Sequence, residues 1–367
     1  MKTNFAFYIH HHGSGHLMRS IAIARQLKDA HVTFLGTDLK RFRQIIPADI
    51  NCMHLPKDTI AQSDLYAQTR GLDFIHYAPL NVQTIPERNE LIIRALRLSY
   101  PALLIVDVSV EIAMLAALCG IPTVVIRQNG KRDDLAHVHA YQGAQLLISP
   151  GPQKLMDQPS NDWVNEKTFF SGGFSRFSGF TIPSSKRSTG KIAVITGAGG
   201  TSIDLSFLIE LASQCPQKAI DVLGNLTEHE HDSLPKNLYF HGLIENPVSL
   251  LAEADVVIGN AGHNTVMEMA ELNKKFICIT EERPFEEQIC KGALLKAHNM
   301  AIVVSHENLS TYDWQDLILK AQNLPDNCWE GVIDPDALSL IAKHLFCQWD
   351  MLFTRKKTGT NQTLSAS

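Results

Sequence analysis

The stretch Ala254–Asn273, ADVVIGNAGHNTVMEMAELN, decides how the rest of the chain is read. Ala254 to Ile258 is a short apolar run rich in Val and Ile, the composition of a parallel strand buried on both faces. Asn260-Ala261-Gly262-His263-Asn264-Thr265 breaks the run, and the pattern beyond it is helical. Such strand-to-helix units build open parallel sheets, in which ligands gather at the carboxyl ends of the strands. The unsatisfied amides of the next helix's first turn favour an anionic group there. Glu268 lies one turn further in, where it can accept both hydroxyls of a ribose whose diphosphate rests on the helix N-terminus. A capping box, Thr265-x-x-Glu268, accounts for the same two residues without any ligand.

Outward from this unit, strand and helix patterns alternate twice over, which predicts an α/β chain with helices on both faces of parallel sheets. In the first half the predicted strands are Phe5–Ile9, Val32–Leu35, Leu103–Asp107, Thr123–Ile126 and Leu146–Ile148, and the clearest helix is Leu17–Leu27. In the second they are Lys191–Thr196, Ile220–Leu223, Leu238–Phe240, Asp255–Ile258, Phe276–Ile279 and Ala301–Val303. Between the halves, Ser171 to Gly190 (SGGFSRFSGFTIPSSKRSTG) has the composition of a connection. The expected plan is a domain over 1–170, a linker over 171–190, a second domain over 191–335, a closing helix over 336–353 and a polar, disordered tail over 354–367. A length of 367 residues suits two such domains.

Hydrophobic residues at 45%, charged residues at 19% and a net charge of −5 describe a soluble globular chain without the basic field that nucleic acid requires. The seven cysteines are odd in number and never form a C-x-x-C pair, which predicts reduced, mostly buried thiols. No apolar run approaches the roughly 18 residues of a bilayer span. MKTNFAFYIHHHG lacks the apolar core and cleavage site of a signal peptide, so the expected location is cytoplasmic. LKRFRQII at 39–46 mixes Lys40, Arg41 and Arg43 with apolar residues. That pattern suits a solvated helix face, and it also suits peripheral contact with anionic lipid at the inner face of a membrane.

Gly262-His263-Asn264-Thr265-x-x-Glu268 is similar to the G-W-N-S-x-x-E core of nucleotide-sugar glycosyltransferases and to the S-G-A-x-T-x-x-E variant of glycosyltransferase family 28. Within that family the chain resembles the peptidoglycan lipid-intermediate N-acetylglucosaminyltransferases. Four further stretches carry the resemblance from Gly13 to Gln288. Phe240-His241-Gly242-Leu243-Ile244-Glu245-Asn246 resembles the strand and loop whose backbone reads the base, with Ile244 against it. Pro284-Phe285-Glu286-Glu287-Gln288 resembles the P-x-x-D-Q element that holds the donor sugar, Glu287 standing for the Asp. Gly13-Ser14-Gly15-His16-x-x-Arg19 resembles the G-x-G-H-x-x-P loop, with Arg19 departing from the Pro. Leu104-Ile105-Val106-Asp107, followed by AALCGIPTVV, resembles the strand, helix and strand that carry an Asp near the catalytic His in plant-type members.

The resemblance implies the GT-B plan of twin Rossmann-like domains facing across a cleft, with the last helix crossing back to the first domain. It implies a metal-independent, cofactor-free, inverting transferase that takes a sugar from a UDP-sugar or a related pyrimidine nucleotide sugar. The acceptor hydroxyl, on a glycan, a lipid-linked molecule or a small molecule, is not named by it. Gly262, Asn264 and Thr265 would hold the diphosphate, Glu268 the ribose, and Glu287 and Gln288 the sugar. Gly13, Gly15 and His263 complete the implied donor set. Two alternatives share the fold: a nucleotide-sugar hydrolase resembling the UDP-sugar hydrolase of pseudaminic acid synthesis, which has the same G-x-G-H-x-x-R loop, and a non-catalytic nucleotide-sugar binding protein. The hydrolase typically lacks the full G-x-N-[ST]-x-x-E and P-x-x-[DE]-Q set.

His16 is the candidate base. Transfer to a hydroxyl needs a group that removes the acceptor's proton, and a free imidazole titrates near neutrality, at about 6.5. Asp107, at the end of a buried strand, would hold its tautomer and stabilise the imidazolium, or would serve as the N-cap of the helix that follows. His10, His11 and His12 stand beside His16, yet strand neighbours point to opposite faces and no carboxylate supports them locally, so no metal is expected. Gly197-Ala198-Gly199-Gly200-Thr201 turns from strand to helix, and there Gly199 and Gly200 let backbone amides approach a phosphate. A tight turn without ligand explains it equally. It lacks the spacing of dinucleotide and P-loop motifs, so neither a nicotinamide nor ATP is indicated.

Overall fold

The computed structural model describes residues 2–10, 15–69, 72, 74–181, 189–197, 200–226, 234–244 and 246–354. The apolar runs of the first half form β1 (Thr3–Ile9), β2 (Ala30–Gly36), β3 (Asn51–His54), β4 (Leu103–Asp107), β5 (Thr123–Ile126), β6 (Leu146–Ser149) and β7 (Thr168–Phe170). They make one parallel sheet of order β3-β2-β1-β4-β5-β6-β7. The second half forms β8 (Lys191–Ile195), β9 (Ala219–Leu223), β10 (Leu238–Gly242), β11 (Val256–Asn260), β12 (Lys275–Thr280) and β13 (Ile302–Ser305). Its parallel order is β10-β9-β8-β11-β12-β13.

Helices cover both faces of each sheet, so the central strands carry apolar side chains alternately to two cores. Phe5, Phe7 and Ile105 enter one core of the first sheet, while Ala6, Tyr8 and Leu104 enter the other. In the second sheet Ala193 and Val257 face one side, and Ile192, Val194 and Ile258 the other. The last helix, Ala337–Phe353, belongs to the first half's core: its Ile341, Leu345 and Trp349 pack with Phe5 and Leu17. The Trp349 ring meets Phe5 edge-on at 5.8 Å.

Several expectations change. Strands β3 and β7 escape the sequence pattern because edge strands of three or four residues carry too little alternation to read. The first helix runs Gly15–Ala24, not Leu17–Leu27, so His16 and Arg19 share its first turns. In LKRFRQII, Leu39 and Ile46 are core residues with Phe42 and Ile45 packed against the same core, and Arg43 donates to the carbonyls of Ile46 and Pro47. Its apolar side faces inward, and Lys40, Arg41 and Arg43 stay exposed. All seven cysteines are unpaired, but only Cys215 and Cys278 are buried and Cys119 and Cys347 are exposed. The described start of the connection, 171–181, is a packed strap: Phe174 enters the first half's core and Phe177 the second's, and the Gly173 amide donates to Val332 O at 2.8 Å. Among the described residues no helix is long and apolar enough to cross a membrane.

In each sheet the strand order reverses direction between two central strands, β1 and β4 in the first, β8 and β11 in the second. Helices leaving such a pair go to opposite faces and open a crevice at the carboxyl ends. The loops after β1 and β4 and those after β8 and β11 therefore face one another.

Candidate active site

The two crevices meet in one cleft of about 380 Å³. From the first half it receives Gly15 and His16. From the second it receives Gly200 and Ile244, the run Gly262, His263, Asn264 and Thr265, then Glu268, Glu287 and Gln288. Gly13 and Gly199 lie outside the described residues, as do His11 and His12. Asp107 sits beneath the surface, 1% exposed, and reaches the cleft only through His16 and Arg19.

The helix His263–Glu271 starts on Gly262, whose backbone is extended and provides no side-chain cap. Its first-turn amides are therefore not taken by a cap, the arrangement that favours an anion. Glu268 is not part of a capping box. Its carboxylate, buried at 7% exposure, pairs with Arg176 of the strap, Nε to Oε1 at 2.9 Å and Nη2 to Oε2 at 3.3 Å. Burial raises the carboxyl's pKa and Arg176 opposes it. Arg176, which lines the cleft beside Glu268, is a site residue that sequence reasoning missed. The only hint was a cation set among the Gly, Ser and Phe residues of 171–180.

Glu281, just past β12, is a second missed residue. Its Oε1 accepts from Ser202 N at 2.6 Å, Ser202 Oγ at 2.9 Å and Asn260 Nδ2 at 2.9 Å. The carboxylate ties the glycine-rich loop after β8 to the end of β11. The Ser202 amide is thereby spent on protein, while Gly200, at φ 85°, makes the turn that only a residue without Cβ adopts freely. Gln288 also works within the protein, its Oε1 accepting from Glu281 N at 3.1 Å.

Asn264 Nδ2 donates to Gly15 O at 3.2 Å, directly joining the α-helix start after β11 to the loop after β1. His263 crosses in the same direction: it bonds the backbone of Pro150, past the end of β6, and burial first, then Lys291 and Arg19, hold its pKa well below the ordinary value. It is a neutral interface ring as well as a cleft residue. Lys291, 2% exposed, reaches Leu155 O at 3.0 Å, and burial brings its ammonium down to about 8 against Glu287 and Asp157.

The turn that carries Glu287 is clamped from the first half. Phe285 and Glu286 both have positive φ, 60° and 55°, a conformation costly for side chains with Cβ. Phe285 O accepts from Lys131 N at 2.7 Å, with Gly130 packed on it so closely that a Cβ would lie 2.4 Å away. The Phe285 ring lies between His76 and His137, centroids at 4.8 and 4.7 Å, under the Arg132 guanidinium at 4.8 Å. Asp134 accepts from both imidazoles, at 2.7 Å from His76 Nε2 and 2.6 Å from His137 Nδ1. These three groups are close enough to chelate a cation. However, Arg132 Nη1 stands 3.0 Å from His137 Nε2 and can only donate, so Nε2 holds the lone pair and Nδ1 the proton. A metal at Nδ1 would turn an Nε2–H against the guanidinium. Burial, opposed by Asp134, brings His137 down to about 4, so this ring is neutral at physiological pH.

On the first half's side of the cleft, His16 is 17% exposed and its Nδ1 lies 3.2 Å from Asp107 Oδ1. Asp107 is not an N-cap; Ser109 caps the next helix by accepting from Ile112 N. Between them Val108 takes φ 63°, an outlier for a β-branched residue that turns Asp107 inward and Ser109 outward. Burial alone would raise the Asp107 carboxyl, but Arg19 and then His16 hold it well below the usual range. His10 sits nearby, its ring 5.9 Å from that of His16. Arg88 is a buried clamp on Tyr8 Oη, Thr37 Oγ1 and Pro56 O.

We expect Glu268→Ala to weaken nucleoside diphosphate binding by about 1.5–3 kcal/mol, the range for hydrogen bonds to a charged group. Titration calorimetry with UDP reads it. An unchanged affinity with a small loss of stability would reduce Glu268 to a partner for Arg176.

Residues 218–328 match the family model described as the glycosyltransferase family 28 C-terminal domain. The chain is 23% identical, over 321 residues covering 81% of it and 82% of the relative, to the UDP-N-acetylglucosamine--N-acetylmuramyl-(pentapeptide) pyrophosphoryl-undecaprenol N-acetylglucosamine transferase of Pasteurella multocida (strain Pm70). Among solved structures it superposes on MurG of Acinetobacter baumannii with a TM-score of 0.63 at 14% identity, over 94% of this chain and 99% of that one. On the spinosyn rhamnosyltransferase SpnG complexed with thymidine diphosphate the TM-score is 0.64 at 14% identity, over 94% and 96%. Superpositions at such identity establish the fold, two doubly wound sheets of the GT-B type, and the matches do not favour the hydrolase or binding-protein alternatives. The chain is a glycosyltransferase of the GT-B fold, and its residues 218–328 match the family 28 C-terminal domain.

Proposed function

We propose that the chain is an inverting transferase that moves a sugar from a UDP-sugar, or a related pyrimidine nucleotide sugar, to an acceptor hydroxyl entering from the first half. The observation that carries this reading is the hydrogen bond from Asn264 Nδ2 to Gly15 O, because it sets the open helix start after β11 against the helix start bearing His16. A diphosphate on those amides leaves its sugar between Glu287 and His16. Glu268 and Arg176 flank the ribose, and Ile244 lies by the base. His16 takes the hydroxyl proton as the diphosphate departs, and Glu287 and Gln288 orient the sugar. The anion has helix amides and Arg176 for partners, so no cation is needed.

For the acceptor, the first half exposes Leu65, Tyr66, Phe74 and Tyr77 in one loop, 82%, 80%, 50% and 47% accessible. That surface, together with the undecaprenol-linked acceptor in the relative's name, supports a hydroxyl on an apolar or lipid-linked carrier.

Thermal shift against UDP, TDP and GDP, with and without chelator, tests the donor site. UDP or TDP should raise the transition without metal, by about 2.7 kcal/mol of apparent stability at a hundredfold excess over Kd. Stabilisation that disappears with chelator, or none from any nucleoside diphosphate, would refute it.

A further inference from the structure

Arg19 stands where the G-x-G-H-x-x-P pattern has its Pro, and it sits against His16. It follows His16 by three residues on the same helix, so the two side chains are neighbours on one face. Arg19 is 5% exposed and grips Asp107 with two nitrogens, Nε to Oδ2 at 3.1 Å and Nη2 to Oδ1 at 2.5 Å. The same Nη2 lies 3.1 Å from His16 Nδ1, as close as Asp107 Oδ1 at 3.2 Å.

These distances alone do not choose between partners; charge and donor capacity do. In a simple carboxylate–imidazole dyad the carboxylate faces Nδ1 alone, so Nδ1 carries the proton and Nε2 presents a lone pair to the substrate. Here a guanidinium cancels the carboxylate's charge. Its N–H groups can only donate, so a proton on Nδ1 would confront one of them. The other titratable groups facing the ring do not reverse this. His10 stands at the end of β1, and His263, on the helix across the cleft, is kept neutral by burial, Lys291 and Arg19.

We propose that Arg19 is a positioning residue for His16: its guanidinium pairs with Asp107 and donates to Nδ1, so the resting imidazole keeps its lone pair on Nδ1 and turns a protonated Nε2 toward the cleft. The inference rests on the reading of His16 as the base. At rest the ring offers the cleft a hydrogen bond rather than a lone pair. It becomes a base by tautomer exchange, in which cleft water accepts the Nε2 proton and one proton returns to Nδ1 from solvent, with no net change in charge. Nδ1–H then turns to Asp107 Oδ1, and Arg19 keeps both its bonds to the carboxylate.

The test is nitrogen-15 NMR of the histidine rings in the full chain near neutral pH, with the His16 signals identified by their loss in His16→Gln. Ring nitrogens with and without a proton differ widely in shift, so the tautomer is read without substrate or turnover. The wild type should show a protonated Nε2 and an unprotonated Nδ1, and Arg19→Leu should show a protonated Nδ1. Arg19→Lys, which keeps a cation but not the paired grip, should show a mixture and serves if the leucine variant does not fold. A wild type with its proton on Nδ1, or a tautomer unmoved by either substitution, overturns the proposal. If the tautomer is as proposed while His16→Ala retains full activity, the base assignment falls and the role of Arg19 toward the ring stands.

Discussion

His16→Ala is expected to leave UDP affinity nearly unchanged while cutting nucleotide release from the donor sugar by roughly 10²–10⁴-fold, the span of a lost general base. The separation follows from the architecture. Glu268, Arg176 and the helix start at Gly262 stand in the second half and the strap, whereas His16 reaches the cleft from the first turn of the helix after β1. Its ring makes its described contacts with Asp107, Arg19 and His10, all first-half residues, so truncation does not disturb the anion site. Release of nucleotide by slow transfer to water can be followed without the true acceptor. Full release activity in the variant would sink the mechanism. A joint loss of affinity and activity would mean that His16 touches the diphosphate, and would move the search for the base to His10, His11 and His12.

The parts of this site that were legible in the sequence are those in which one short segment contains its own logic. Val256 to Thr265 reads as a buried strand, a polar break and a helix because strand burial and helix initiation are local, and the same holds for the loop after β1. What stayed hidden was contributed across the fold. Arg176 looks like a linker residue until the strap is laid over Glu268, and Glu281 looks like a polar residue beyond a strand until the loop after β8 returns to it. The departure from Pro at Arg19 was visible, but its meaning needs β4 placed beside β1, 88 residues away in sequence from Arg19 to Asp107. Val108, Phe285 and Glu286 adopt positive φ against the habits of their residue types, so no propensity could announce these turns. At Phe285 the cost is met by the bracket of His76, Asp134, His137 and Arg132, none of which local pattern connects to the donor-sugar element.

Asp107→Asn is expected to cost about 3–5 kcal/mol of folding stability, more than a merely catalytic carboxylate would, because it leaves a buried guanidinium without its counter-charge. The substitution keeps the shape, but the amide offers Arg19 one acceptor oxygen and sets an N–H₂ group against its other nitrogen. With Arg19 5% and Asp107 1% exposed, water cannot compensate. The pH dependence has a definite sign. Burial by itself would raise the Asp107 carboxyl, yet Arg19 and His16 depress it, so the folded state binds this proton less readily than the unfolded chain. The stabilisation is therefore complete above the unfolded value of about 4 and is lost as pH falls toward the depressed folded value. The gap between wild type and Asp107→Asn in denaturant unfolding should accordingly be flat through neutral pH and narrow only in acid. Replacing both partners, Arg19→Leu with Asp107→Leu, should recover much of the loss, since removing a buried pair together leaves no orphaned charge. A penalty for Asp107→Asn below about 1 kcal/mol would place the pair in the class of solvated surface bridges and would remove the rigid carboxylate on which the orientation of His16 depends.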